Sequence, residues 1–380
     1  MRLVLSAGEA SGDQIAADLA RALARRVPNL TMAGLAGPRM QSVGVEPWYG
    51  LDTLNVMGLT EVIAHLPRLV RLRREYRQRI LDWRPDAFIS IDAPDFNLGL
   101  ARQLRQRGLT TIHYVSPSVW AWRAHRINKI ARSLDLLLTL FPFEPELYQP
   151  HGLDARFVGH HLADELKQLP AREQVRDQLG LDASEVMIAL LPGSRGGEIR
   201  RHTDLLADTA ARLRAQMPDA RLVMLLAQRD HKAQVLELSG SRLAEAEVTL
   251  VANETRLGLA AADLALTASG TVTLEAFLVG CPQVVYYRLP PATYGLARLL
   301  RLVRTEHVSL PNILTRQALV PERLQDAASA DQLCRDAMAW LEQPQRIHAY
   351  RELAADWRRQ LGLGAGDHAA TAILEKLGHG

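Results

Sequence analysis

Short apolar runs that end in loops of small residues recur along this chain, and the pattern starts twice. Arg2–Ala7, Thr31–Leu35, Ala87–Ile91, Thr110–Val115 and Leu136–Leu140 read as strands. Amphipathic stretches lie between them, at Gly12–Arg26, Glu61–Trp83, Phe96–Arg107 and Ala124–Arg132. Strands with no alternating polar face are covered on both sides, which predicts a parallel sheet. Strand–helix alternation of this kind predicts a doubly wound α/β fold. After about residue 160 the series begins again. Val186–Leu191, Leu222–Ala227, Val248–Val251, Leu264–Thr267 and Gln283–Tyr287 read as strands, and Ile199–Gln216 as a helix. A chain of 380 residues accommodates two such domains. We expect two Rossmann-like doubly wound domains facing across a cleft, spanning residues 1–161 and 162–343, with helices over 344–380. The polar, proline-containing segment Leu162–Arg172 reads as the hinge.

Composition removes several function classes. The formal net charge is only +3, so bulk charge does not point to nucleic acid. The two cysteines, Cys281 and Cys334, make neither a disulfide framework nor a zinc site, and free thiols fit a reducing compartment. No stretch approaches the roughly 20 apolar residues of a membrane span. The longest candidate, Leu134–Phe143, is interrupted by Asp135 and Pro142. A cytoplasmic protein with at most a peripheral membrane contact is expected.

Three loops stand where strands give way to helices. Ala7-Gly8-Glu9-Ala10-Ser11-Gly12-Asp13 follows the first strand. It reads either as a site where backbone approaches an anionic ligand, or as a tight turn with Ser11 or Asp13 as the helix cap. Leu191-Pro192-Gly193-Ser194-Arg195-Gly196-Gly197-Glu198 holds the same place in the second half. Its glycines, hydroxyl and guanidinium suit a diphosphate, with the loop's backbone N–H groups wrapping it, Ser194 beside it and Arg195 neutralising it. It is neither a Walker A loop nor a dinucleotide fingerprint, so ATP and NAD fit poorly. Thr267-Ala268-Ser269-Gly270-Thr271-Val272-Thr273-Leu274-Glu275 is the third. Gly270 and Thr271 suit phosphate. Glu275, one turn into the helix, suits the vicinal hydroxyls of a ribose, or simply favours the helix N-terminus.

Asp92 ends an otherwise apolar strand and is the candidate general base. Asp95 reads as a helix cap. His113, Tyr114 and Ser116 end the neighbouring strand, and His113 ranks below Asp92. No two aspartates are one residue apart, so the Asp-x-Asp pair that holds a metal–diphosphate in one transferase class is missing. A metal-independent reaction is expected, with helix N-termini and Arg195 stabilising a leaving diphosphate. No Gly-x-Ser-x-Gly elbow supports a hydrolase.

Ile63, Leu66, Val70, Tyr76 and Ile80 lie near helical spacing, interleaved with Arg68, Arg71, Arg73, Arg74, Arg77 and Arg79. Pro67 should break or start a helix there. Arg298, Arg301 and Arg304 recur among leucines in Leu296–Arg304. Each segment reads either as a surface helix with a core-facing stripe or as a basic face for an anionic membrane.

Several strings resemble the lipid-A-disaccharide synthase family. They are Ser6-Ala7-Gly8-Glu9-Ala10-Ser11-Gly12-Asp13, Ile91-Asp92-Ala93-Pro94-Asp95-Phe96-Asn97 and His113-Tyr114-Val115-Ser116-Pro117-Ser118-Val119-Trp120-Ala121-Trp122. Leu191–Arg195, Ala268–Thr271 and Val308-Ser309-Leu310-Pro311-Asn312 complete the set, and the likeness runs to about residue 325. The resemblance implies the GT-B glycosyltransferase fold, with the chain end packed back on the first domain. It implies transfer of 2,3-diacylglucosamine from UDP to the primary hydroxyl of 2,3-diacylglucosamine 1-phosphate, with inversion and without a metal or other cofactor. Asp92 becomes the base. Glu9, Ser11, Gly12 and His113 would line the donor or acceptor side. Ser194 and Arg195 would hold diphosphate, and Gly270, Thr271 and Glu275 phosphate and ribose, with Asn312 nearby. Partners would be the two acylated sugars and the cytoplasmic face of the inner membrane, met through about residues 58–80 and 296–304. No nucleic acid is implied, and a homodimer is left open. The rival readings are another UDP-sugar enzyme of the same fold, such as an epimerase, and a non-catalytic UDP-sugar or lipid-binding protein.

Overall fold

A computed structural model describes residues 1–53, 59–122, 126–290 and 307–379; for 59–68 and 121–122 it describes the backbone alone. The chain forms two compact units, Met1–Asp164 with Gln360–Gly380, and Glu165–Arg359. Residues 344–359, which the sequence reading grouped with the tail, therefore belong to the second unit.

The first unit holds a seven-stranded sheet. Its strands are β1 (Arg2–Ala7), β2 (Thr31–Leu35), β3 (Val45–Tyr49), β4 (Ala87–Ile91), β5 (Thr110–Tyr114), β6 (Leu136–Thr139) and β7 (Ala155–Phe157). The order is β3-β2-β1-β4-β5-β6-β7, and every pairing is parallel. The inner strands are buried apart from the first residue of β1, β2 and β5, as runs such as Ala87-Phe88-Ile89-Ser90-Ile91 require. One face packs Val4, Phe88 and Leu137 against Tyr76, Ile80, Leu98 and Tyr148. Helix Ala365–Lys376 returns to helix Ala10–Arg26. Arg26 reaches the Asp367 carbonyl at 2.7 Å and Thr371 at 2.8 Å. The Asp164 carboxylate accepts from the N–H groups of Gly364 and Ala365, satisfying donors at that helix start.

The second unit repeats the architecture with β8 (Met187–Leu191), β9 (Arg221–Leu226), β10 (Thr249–Ala252), β11 (Leu264–Ala268), β12 (Gln283–Tyr287) and β13 (Glu322–Leu324). Its order is β10-β9-β8-β11-β12-β13, again all parallel. In each sheet the chain reverses its direction of winding once. The reversal falls between β1 and β4 in the first unit and between β8 and β11 in the second. Such switch points, at the carboxyl ends of the strands, are where open α/β sheets hold ligands.

The basic amphipathic segment needs correction. Helix Leu59–Trp83 runs through Pro67 without a break. Leu72, Tyr76 and Ile80 are buried core, not an outer apolar stripe. Arg77 bonds Gln103 at 2.6 Å, and the Arg79 guanidinium stacks 4.6 Å over Trp48. Val70, 51% exposed, Arg74 and the pair Arg71–Glu75 do turn outward. Leu296–Arg304 lies outside the described residues.

Candidate active site

At the first switch point, Asp92 leaves β4 in the left-handed region, with φ of 52°, and Ala93 follows at 39°. Val115, one residue past β5, has φ of 81°, a conformation that a β-branched side chain rarely adopts. Three strained residues thus stand at two adjacent strand ends, a clustering typical of sites where geometry is over-determined. The turn at Asp92 is held from below by Asn97, which is fully buried. Its amide donates to the carbonyls of Asp92 at 3.1 Å and Ile91 at 3.3 Å, and it accepts from Ser6 Oγ at 2.9 Å.

This turn aims the Asp92 carboxylate at the loop after β1. Gly8 N–H donates to Oδ1 at 2.6 Å and Glu9 N–H to Oδ2 at 3.1 Å. A Cβ at Gly12 would stand 1.9 Å from Asp92 Oδ2, and one at Gly8 only 2.9 Å from Oδ1. The glycines are there because the carboxylate fills the space a side chain would take. Burial pushes the Asp92 pKa up to about 7, with the Glu9 charge adding to the rise and the N–H groups of Gly8, Glu9 and Gly12 opposing it. A carboxyl poised there can take a proton at neutral pH.

The other sequence-predicted residues of this unit sort into two groups. Glu9 and Ser11 are exposed at the sheet's carboxyl end, and neither side chain caps the helix. Asp13 is not the cap of its own helix either. It is buried and accepts from the N–H groups of Gly37, Arg39 and Met40, anchoring the loop after β2. Asp95 forms an ion pair with Arg126. His113 turns into the protein rather than toward ligand: it is fully buried, its Nδ1 lies 2.7 Å from Ser90 Oγ, and burial lowers its pKa to about 4. It stays neutral.

At the second switch point, the loops after β8 and β11 enclose a pocket of about 320 Å³. Its lining includes Gly193, Ser194, Arg195, Ala268, Ser269, Gly270, Thr271 and Glu275. That volume matches the lower range of small-ligand sites. Helix Thr271–Leu278 begins at the pocket, and its first N–H groups lack intrahelical acceptors. Arg195 has an 82% exposed side chain whose Nη1 lies 3.6 Å from Glu198 Oε1, a loose pair that leaves its outer face open to an anion. One expectation changes. The N–H groups of Ser194 and Arg195 do not point at the ligand space, because Glu198 Oε2 takes both, at 3.0 and 3.3 Å. Glu198 also accepts from the Tyr287 hydroxyl at 3.2 Å, so it is the loop's organiser. Its place three residues past the helix cap was the available signal.

Asn312 is corrected as well. Its amide is buried and spent within the protein, donating to Val320 O and Glu322 Oε1, both at 2.9 Å, and accepting from Val320 N–H. Glu322, which the sequence reading passed over, gathers Val308 N–H, Ser309 N–H, Ser309 Oγ and Asn312. That segment is stitched to the phosphate loop through Ser269 Oγ to Val308 O and Leu310 N–H to Thr273 Oγ1, both at 3.3 Å. Asn312 supports the pocket from behind. A group of three or more metal-type side chains does not occur among the described residues.

A family model described as lipid-A-disaccharide synthetase matches residues 3–373. The chain belongs to this family. Family membership makes it a UDP-sugar-dependent glycosyltransferase, and sets aside the epimerase and non-catalytic alternatives. A lipid-A-disaccharide synthase from Xanthomonas campestris pv. campestris is 45% identical over 377 residues, covering 99% of this chain and 86% of the relative. One from Chromohalobacter salexigens is 44% identical over 380 residues, covering 100% and 98%. Among solved structures, a UDP-GlcNAc 2-epimerase from Neisseria meningitidis bound to UDP-GlcNAc superposes with a TM-score of 0.67 at 12% identity, over 99% of this chain and 100% of that one. The MurG of Acinetobacter baumannii gives 0.61 at 15%, over 98% and 99%. At such identities these two speak to the fold alone, and they place the chain in the GT-B class.

Proposed function

We propose that the enzyme transfers 2,3-diacylglucosamine from UDP to the primary hydroxyl of 2,3-diacylglucosamine 1-phosphate, with inversion at the anomeric carbon. The observation that carries the chemistry is Asp92, a carboxylate fixed by two backbone donors at a switch point and titrating near neutrality. Asp92 takes the proton of the acceptor hydroxyl as that oxygen bonds to C1 of the donor. The bond from C1 to the diphosphate oxygen breaks, and its electron pair leaves with UDP. Arg195 and the N-terminus of helix Thr271–Leu278 offset the charge that develops there. Glu275 binds the ribose hydroxyls. In this reading no metal takes part, since the sequence lacks an Asp-x-Asp pair and Arg195 supplies a cation.

The acylated substrates place the enzyme at the cytoplasmic face of the inner membrane. Among the described residues, no helix is long and apolar enough to cross a bilayer, so contact is peripheral in this reading. On helix Leu59–Trp83 the burial of Leu72, Tyr76 and Ile80 takes those side chains out of any lipid-facing surface, while Val70 is open to one. Serines at Leu66 and Leu69, with Leu72 left in the core, test the membrane contact by vesicle sedimentation. The reaction itself is tested by incubating the protein with both acylated substrates and chelator. A β-linked disaccharide phosphate and UDP, found by mass and NMR, support it. Free monosaccharide alone would refute it.

A further inference from the structure

The Glu275 carboxylate is not left alone in its pocket. Arg256, on helix Thr255–Ala261, donates from Nε to Glu275 Oε1 at 2.7 Å. Nη2 of the same guanidinium meets Glu165 Oε2 at 2.5 Å. The two carboxylates are largely shielded, while Arg256 is partly exposed. A planar guanidinium held at two nitrogens by two carboxylates has little freedom to rotate, and it fixes the carboxylate it bonds in one orientation. Thr255, the neighbour of Arg256, lines the pocket with Glu275.

We propose that Arg256, anchored by Glu165, is a positioning residue that makes Glu275 selective for the ribose 2′-hydroxyl. The inference rests on the reading of Glu275 as the ribose ligand and deepens it. Glu275 stands in the same pocket as the site proposed for a diphosphate, where anionic oxygens would repel an uncompensated carboxylate. Arg256 compensates that charge through Oε1. Oε2 has no protein partner among the described residues and is left for the sugar edge. A carboxylate held on one oxygen presents the other in a defined direction. A loosely held one accepts from whichever hydroxyl is present and discriminates less. Lysine cannot substitute, because a single ammonium on a flexible stem does not span both carboxylates in one geometry.

The test is titration calorimetry of the full chain with UDP and with 2′-deoxy-UDP. Loss of a hydrogen bond to a charged group is expected to weaken the deoxy ligand about tenfold or more in the unaltered protein. Arg256→Met should reduce that ratio to below about threefold, and Arg256→Lys should reduce it as well, with melting curves confirming that both fold. Glu165→Gln, a change outside the pocket lining, should lower the ratio in the same direction. Arg195→Ala should weaken both ligands and keep the ratio. A full ratio in Arg256→Met and Arg256→Lys, or in Glu165→Gln, overturns the proposal. An equal loss for both ligands also overturns it, by making Arg256 a plain source of charge. Glu275→Gln separates the two levels. If it keeps the full ratio, the ribose reading itself fails. If it loses the ratio while the Arg256 variants keep it, only the positioning role fails.

Discussion

Asp92 and Gly12 share a volume that holds either a carboxylate or a side chain, but not both: a Cβ on Gly12 would lie 1.9 Å from Asp92 Oδ2. The helix that Gly12 opens and the strand that Asp92 ends are neighbours only because β1 pairs with β4 at the switch point. Gly12→Ala should therefore displace the carboxylate without touching the nucleotide pocket of the second unit. The expected result is a fall in kcat of about two orders of magnitude or more, the scale of a general base. UDP affinity by calorimetry should stay within about twofold.

The pH profile follows from the raised pKa of Asp92. Only the ionised carboxylate accepts a proton, so log kcat should rise with unit slope and level off above about 7. Asp92→Asn should lack this limb. Stability moves the opposite way. A folded-state pKa above the unfolded value means that the folded form holds a proton the unfolded chain has released. That contribution is complete below the ordinary carboxylate range and is lost as pH rises through about 7. Melting temperatures from pH 4 to 8 should show the unaltered protein losing ground relative to Asp92→Asn.

Much of this was legible in the sequence, and the residues that were not have physical reasons. The nine inner strands announced themselves because burial on both faces demands unbroken apolar runs, and the edge strand β10 did so through its apolar Leu250-Val251-Ala252. The strands β3, β7 and β13 did not. They lie at sheet edges, are only partly buried, and are built from segments such as Val45-Glu46-Pro47-Trp48-Tyr49 and Glu322-Arg323-Leu324. Asp92 was legible as a polar residue ending an apolar strand. His113 looked the same and is different. It lies one position earlier than the strand end and pairs with Ser90 across the register, so its side chain stays under the sheet's cover. Asn312 misleads for a related reason. A polar residue in a ligand loop can face the ligand or brace the loop, and spacing does not distinguish the two.

Asn97 should prove to be a brace of the same kind. Its buried amide ties Ser6, Ile91 and Asp92 together beneath the left-handed turn. Asn97→Ala removes the donor it offers to the carbonyls of Ile91 and Asp92 and should lower the unfolding free energy in urea by about 1–3 kcal/mol. Turnover should fall further than the unfolded fraction accounts for, because the turn that aims Asp92 is loosened.

Glu198 is expected to act on the nucleotide without touching it. In Glu198→Ala the N–H groups of Ser194 and Arg195 lose their shared acceptor, and the loop that presents Arg195 relaxes. UDP binding should weaken about tenfold, the scale of one charge-assisted hydrogen bond. Glu198→Gln retains an oxygen for both donors and should lose less. Calorimetry on the two variants checks the order.

The central claim is that catalysis and nucleotide binding reside on different switch points, with Asp92 as the base. Steady-state turnover and UDP affinity measured on one preparation of Asp92→Asn test it directly. The account predicts kcat reduced about a hundredfold or more while the Kd for UDP stays within about twofold of the unaltered protein. Full turnover in that variant would contradict it.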